Sequence, residues 1–311
     1  MTSLGPASGI LLIDKPLGLT SHDVVAKTRR AAGTRKVGHA GTLDPLATGL
    51  LVLGVNSSTR LLTYVVGLDK EYEATIRLGA GTTTDDAEGE LVNIAPPGAV
   101  EALTPEAIRD GLTALTGAIL QRPSSVSAVK VDGRRAYARV RLGETVVLDA
   151  RPVTISAIDL LADRPATDAS GAPTLDLDVR VTCSSGTYIR AIARDLGEAL
   201  GVGGHLTALR RTRIGPFTVA QAQTIENLDP ARDVLTPAEV AAHLFTVANL
   251  DAQQSADLRN GKKIPFDGPS KSTIAAIDPE GSLIGLFEVR GGVARVLVNF
   301  PPDAQAESAA S

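Results

Sequence analysis

"VGHAGTLDPLATGLLVLGV", residues 37–55, joins two unlike halves. The first is a loop-like run of Gly and Thr around Asp44 and Pro45; the second, from Ala47 to Val55, is almost wholly apolar. An apolar run that leaves a turn-rich loop reads as a strand covered on both faces, so it predicts a sheet with this strand well inside it. Asp44 stands at the mouth of that strand. Its nearest carboxylates along the chain are Asp23 and Asp69, and the ionisable residues around it are His39, Lys36 and Arg35.

Outward from this stretch the pattern alternates between helix and strand. "LTSHDVVAKTRRAAG" predicts a helix with Ser21 as N-cap, Asp23 in its first turn and Gly33 as its stop. "LTPEAIRDGLTALTG" predicts a second, capped by Thr104, with Pro105 in the first helical position, Leu103 stapled onto Ile108 and Gly117 at the end. Between them "KEYEATIRLG" sets Tyr72, Ala74, Ile76 and Leu78 against Glu71, Glu73, Thr75 and Arg77, the period of a half-buried strand whose inward face begins at Tyr72. "TLDLDVRVTC" does the same, placing Cys183 inward as a small buried hydrophobe. It is followed by a helix with a core stripe of Ile189, Ile192, Ala193, Leu196 and Leu200. The end of the chain, "STIAAID", "SLIGLFEV" and "VARVLVNF", predicts three short antiparallel strands after a less regular acidic stretch at about 222–250. The expected division is a large domain over 1–247, a small β domain over 248–301 and a disordered tail, 302–311.

Composition narrows the chemistry. With 43% hydrophobic and 21% charged residues over 311, the chain is an ordinary globular protein. "GILLI" at 9–13 is too short for a signal core or a span, so a cytoplasmic protein is expected. One cysteine excludes an internal disulfide, and four scattered histidines offer no ligand spacing, so no metal is expected. A net charge of −4 excludes a uniformly basic surface, yet cations gather at Arg122, Lys130, Arg134, Arg135, Arg139 and Arg141, and again at Arg210, Arg211 and Arg213.

An Asp-Pro in a Gly/Thr loop is by itself a turn or cap residue as readily as a catalyst. Arg190 tilts the balance. It lies off the stripe in the first turn of its helix, where the dipole disfavours a cation, so it calls for an anion from elsewhere, such as Asp44. A carboxylate beside a cation stays ionised and can act as a nucleophile. Glycoside hydrolysis ordinarily takes two carboxylates, whereas a single one suits a rearrangement that needs no water.

Five stretches, "GILLIDKPLGLTSHDVV", "VGHAGTLDPLATGLLVLGV", "KEYEATIRLG", "SSVSAVKVDGRRAYA" and "CSSGTYIRAIARDLGEALGVGGHLTALRRTRIGPF", occur in this order between Gly9 and Phe217. Together they closely resemble the bacterial tRNA pseudouridine-55 synthases of the TruB type. The resemblance implies an α+β pseudouridine-synthase fold, with a central mixed, largely antiparallel sheet flanked by helices. It also implies, by position, a PUA-like C-terminal β domain. It casts Asp44 as nucleophile, Arg190 as its ion-pair partner and Tyr72 as the plate on which the target uracil stacks. His39 would help replace the extruded base, Leu209 would line the base pocket, and Tyr188 would support Arg190. Lys130, Arg134, Arg135, Arg210 and Arg211 would meet phosphates without reading sequence. The implied reaction flips a uridine out of the tRNA T loop and rejoins its base through C5. Asp44 would attack either the base or ribose C1′, and Tyr72 or Asp44 would take the C5 proton. No cofactor, membrane or obligatory protein partner is implied, and a monomer suffices.

Overall fold

A computed structural model of the protein describes residues 7–124, 130–131, 134–135, 148–270 and 272–301. The chain opens with β1 (Gly9–Lys15), α1 (Ser21–Ala31), β2 (Val37–Ala40), β3 (Ala47–Val55), α2 (Leu62–Val66) and β4 (Lys70–Leu78). There follow β5 (Gly81–Thr82), β6 (Leu91–Val92), α3 (Pro105–Ala114), β7 (Gly117–Gln121), β8 (Lys130–Val131), β9 (Arg134–Arg135), β10 (Arg151–Thr167), β11 (Pro173–Cys183), α4 (Ile189–Ala199) and β12 (Gly204–Ile214). The last part comprises β13 (Phe217–Thr218), β14 (Gln223–Thr224), α5 (Pro230–Asp233), α6 (Pro237–Leu244), β15 (Thr246–Asn249), α7 (Ala252–Arg259), β16 (Ile264–Pro265), β17 (Ile274–Ile277), β18 (Leu283–Arg290) and β19 (Val293–Asn299). This is an α+β fold. By internal contacts it divides into one unit of 1–45, 49–67 and 215–311 and a second of 46–48 and 68–214.

In the first unit β3 has β1 antiparallel on one edge, from Gly9↔Val55 to Lys15↔Gly49, and β2 antiparallel on the other, while β14 joins β1 in parallel. Leu50, Leu51, Val52 and Leu53 are all fully buried, as an apolar run without alternation requires. α1 packs Val24 and Val25 onto Leu11, Ile13, Leu51 and Leu53. Its start differs by one residue from the sequence expectation. Thr20, not Ser21, is the N-cap, in a reciprocal box in which the Asp23 amide donates to the Thr20 hydroxyl (3.0 Å) and the Thr20 amide to the Asp23 carboxylate (2.9 Å). Ser21 is thereby turned inward to a different task. Gly33 does stop the helix, at φ +62.

The same unit holds a five-stranded sheet in the order β15-β17-β18-β19-β16, with β15 parallel to β17 and the other pairs antiparallel. β17, β18 and β19 are the three strands expected. β15 and β16 are additional, and the stretch expected to be irregular holds α5, α6 and β15. These elements are too short to show a period; their caps Asp229-Pro230 and Thr236-Pro237 were the legible signal. Phe287 packs edge-on against Phe266 (5.0 Å) in a core with Leu258, Ile274 and Val289.

In the second unit the strand order is β12-β4-β11-β10-β7, all antiparallel. β4 lies inside it and alternates buried and half-buried residues without a break, but its inward face starts at Lys70, two residues before Tyr72. Gly117, expected only to end a helix, opens β7 at φ +100. α4 lies across β12 and β4. Gly197 permits that approach, since a Cβ there would meet Gly203 C and Gly204 N at 2.2 Å.

Candidate active site

Asp44 lies half-buried in the loop between β2 and β3, in the first unit. The chain turns out of β2 at Gly41, whose φ of +85 suits only glycine without strain. Both residues next to Asp44 are pinned. The Ser21 hydroxyl, 1% exposed, accepts from the Leu43 amide (2.8 Å) and donates to the Leu43 carbonyl (3.0 Å). The Pro45 carbonyl accepts from the Gly18 amide (2.9 Å) and from the ammonium of Lys15 (3.4 Å). Lys15 is fully buried and also donates to the carbonyls of Leu19 (2.6 Å) and Pro16 (3.0 Å), so one cation gathers three backbone oxygens around the loop. With the backbone held on both flanks, the carboxylate is fixed in place rather than free to wander. His39 sits half-buried on β2 opposite Leu53, its ring edge-on to that of His22 (5.7 Å).

In the second unit, Tyr72 is 7% exposed near the start of β4, with Val181 of β11 on one side and Arg211 of β12 on the other. Leu209, half-buried, pairs with Ala74 on the same face, so β pairing brings Tyr72, Leu209 and Arg211 together. This corrects the expectation for the basic stretch 210–213. Strand alternation divides it: Arg210 pairs with Glu73 on the opposite face, while Arg211 is 1% exposed beside Tyr72 and is no solvent-facing phosphate contact. Lys70 and Cys183, paired in register, continue the buried face. Burial, reinforced by the charge of Arg211, pushes the Lys70 ammonium down to about 8. Burial pushes the Cys183 thiol up to about 11, in keeping with a packing role and no nucleophile.

Arg190, 7% exposed, is the second residue of α4. Its anion includes one that sequence reading passed over. Nη1 donates to Asp86 Oδ2 (3.0 Å) and to the Thr84 carbonyl (3.1 Å). Asp86, 2% exposed, is itself oriented by the Thr84 hydroxyl (2.5 Å) and the Glu88 amide (3.1 Å). A carboxylate there offsets the cost of a cation at a helix N-terminus. The one available signal was "TTTDD", a polar run too turn-like to single out either aspartate. Tyr188 caps α4, and its backbone exchanges two hydrogen bonds with the buried Gln121 amide, 2.7 Å from its N–H and 2.9 Å to its carbonyl.

Lys130 pairs with Arg135, and Val131 with Arg134, in the short β8–β9 ladder. Arg139 and Arg141 lie outside the described residues. A basic group not anticipated from the sequence gathers around the end of α1, where Lys27, Arg29, Arg30, Arg35 and Lys36 are all exposed and lead into β2. Among the described residues no helix is long and apolar enough to cross a membrane.

Comparison with solved structures defines the class. The fold matches the structure of an H/ACA RNP bound to a substrate RNA containing 2′-deoxyuridine, with a TM-score of 0.67, 23% identity, and coverage of 94% of this chain and 85% of that one. It likewise matches the archaeal box H/ACA sRNP Nop10-Cbf5 complex, with a TM-score of 0.66, 24% identity, and coverage of 97% and 89%. The chain thus has the pseudouridine-synthase fold, and its sequence places it further. Residues 29–189 match the N-terminal domain of the TruB family pseudouridylate synthases, 190–243 the tRNA pseudouridylate synthase B C-terminal domain and 245–301 the tRNA pseudouridine synthase II C-terminal domain. A tRNA pseudouridine synthase B of Leifsonia xyli subsp. xyli is 61% identical over 299 residues, 95% of this chain and 97% of that protein. Another, of Thermobifida fusca, is 52% identical over 294 residues, 94% and 99%. The chain belongs to the TruB family.

Proposed function

We propose that this chain is a tRNA pseudouridine-55 synthase, with Asp44 as its nucleophile. The observation that carries the reading is its 61% identity, over 95% of the chain, to a tRNA pseudouridine synthase B. The pinning of Asp44 on both sides supports the residue assignment. In the proposed reaction a uridine is extruded from the T loop and its base is held against Tyr72 and Leu209. Asp44 adds to the base or to C1′, and the N1–C1′ bond breaks. The base turns, C5 bonds to C1′, Asp44 departs, the C5 proton leaves to Tyr72 or Asp44, and N1 gains a proton. Atoms balance without water, metal or redox cofactor.

Arg190 would hold Asp44 ionised. A guanidinium has five N–H donors, so service to Asp86 is compatible with service to a second carboxylate. His39 would stand where the base leaves the loop, and Tyr188 would brace Arg190. Phosphates would be met by Lys130, Arg134, Arg135 and Arg210, together with the exposed group at the end of α1. The enzyme would work in the cytoplasm as a monomer without protein partners.

The test is tritium release from a tRNA transcript labelled at uridine C5. The intact protein should release one tritium per tRNA and Asp44→Asn none. Equal release from both would remove Asp44 from its role; tight tRNA binding without release from either would leave a binding protein.

A further inference from the structure

α4 sets a second arginine one turn beyond Arg190, on the same face, and it too reaches the 83–90 loop between β5 and β6. Arg194 Nη1 contacts Asp85 Oδ2 (3.0 Å), Nη2 donates to the Arg122 carbonyl (2.9 Å) and Nε to Asp195 Oδ1 (2.9 Å). From these contacts we propose that Arg194 is a positioning residue for the reaction, fixing through Asp85 the turn that presents Asp86 and the Thr84 carbonyl to Arg190. The inference rests on the functional reading above.

Asp85 and Asp86 are consecutive, and in extended chain consecutive side chains point to opposite sides. Here both meet arginines of one helix face. That is achieved by a φ of +61 at Asp85, a backbone conformation that residues other than glycine seldom adopt. Asp85 is 8% exposed, and burial pushes its carboxyl above the ordinary range while Arg194 pulls it back. Without Arg194 the turn would hold a buried charge with one fewer counterion, and relaxation of φ to an ordinary value would swing Asp86, the next residue, away from Arg190. Two further bonds tie the turn to its surroundings. The Asp85 carbonyl accepts from the Leu206 amide of β12 (3.1 Å), and the Ser124 hydroxyl donates to the same Thr84 carbonyl that Arg190 uses (3.1 Å). Arg194 thus joins α4, the turn and residue 122 in one cluster whose output is the placement of Arg190.

An ion pair that only stabilises the fold would lower stability without slowing folded enzyme. A positioning residue acts on the chemical step. The experiment measures single-turnover tritium release at saturating tRNA, tRNA binding by filter retention, and thermal unfolding, for Arg194→Ala, Asp85→Gly and the double variant. Glycine adopts a φ of +61 unaided and brings no carboxylate to neutralise. Arg194→Ala should therefore slow release about tenfold with tRNA affinity within about twofold, and Asp85→Gly added to it should restore most of the rate, a non-additivity expected only of coupled residues. Arg194→Lys, which keeps the charge without the fork, serves the same comparison with Asp85→Gly should the alanine variant not fold. An undiminished rate in the Arg194 variant, or a loss that tracks the unfolded fraction and is not rescued, overturns the inference alone. Intact protein that releases no tritium overturns the functional reading and the inference with it.

Discussion

Replacing Ser21 by alanine separates the loop that carries Asp44 from the helix that supports it. The hydroxyl is 1% exposed and bonds both the amide and the carbonyl of Leu43, at 2.8 and 3.0 Å. Its removal leaves two buried backbone groups without that partner, each costing about 1–3 kcal/mol. Alanine returns about 0.5 kcal/mol of helix propensity, so a net loss of about 1.5–5.5 kcal/mol in urea unfolding is expected. The loss falls on the residue preceding Asp44. A misplacement of a reacting group by about 1 Å can cost about 10²-fold in rate, so single-turnover tritium release should fall between about ten- and a hundredfold even where the variant is fully folded. Thr20→Ala is the internal control, because it breaks the capping box one residue earlier without touching Leu43. It should cost about 1 kcal/mol of stability and leave the rate of folded enzyme unchanged. Equal slowing by the two substitutions, or full activity of Ser21→Ala, would refute the assignment of this hydroxyl to the loop.

Three further expectations concern pH, packing and salt. Lys70 releases its proton near 8 in the folded protein and near 10.5 when unfolded, so the unfolded chain holds more protons between these values and stability rises with pH from about 8. Cys183 opposes this above 9.0, because the folded thiol keeps its proton to about 11; Lys70→Met should abolish the rise between pH 8 and 9 and expose a decline above it, and a curve parallel to the parent's would contradict the burial argument. Gly197→Ala should destabilise by at least about 2 kcal/mol in urea despite a propensity gain of about 1, since its Cβ would collide with the backbone of Gly203 and Gly204; an unchanged midpoint would mean that α4 is free to shift. Replacing Lys27, Arg30, Arg35 and Lys36 by glutamine should flatten the salt dependence of tRNA binding by about 3–4 in log–log slope if each meets a phosphate, and an unchanged slope would mean a merely solvated face.

Much of this was written locally. The alternation of Tyr72, Ala74, Ile76 and Leu78, the unbroken apolar run of β3, and the caps at Thr104 and Gly33 each depend on a residue and its near neighbours, so they can be read along the chain. Asp44 was legible for a related reason, as a charge at the entrance to a strand that must be buried. The assignment of Ser21 failed by one residue because two adjacent hydroxyls can both cap, and only the fold shows that Leu43 claims the second.

Which faces are apolar and which segments turn can be read along the chain, because hydrophobic burial and backbone capping act over a few residues. That Arg190 meets Asp86 and Arg194 meets Asp85, each pair more than a hundred positions apart, and that Arg210 and Arg211 part to opposite faces of β12, emerges only once the chain is folded. Charge carries no address. Any of the 35 acidic residues could answer an arginine in the sequence, and it is the left-handed turn at Asp85, set against α4, that selects two of them.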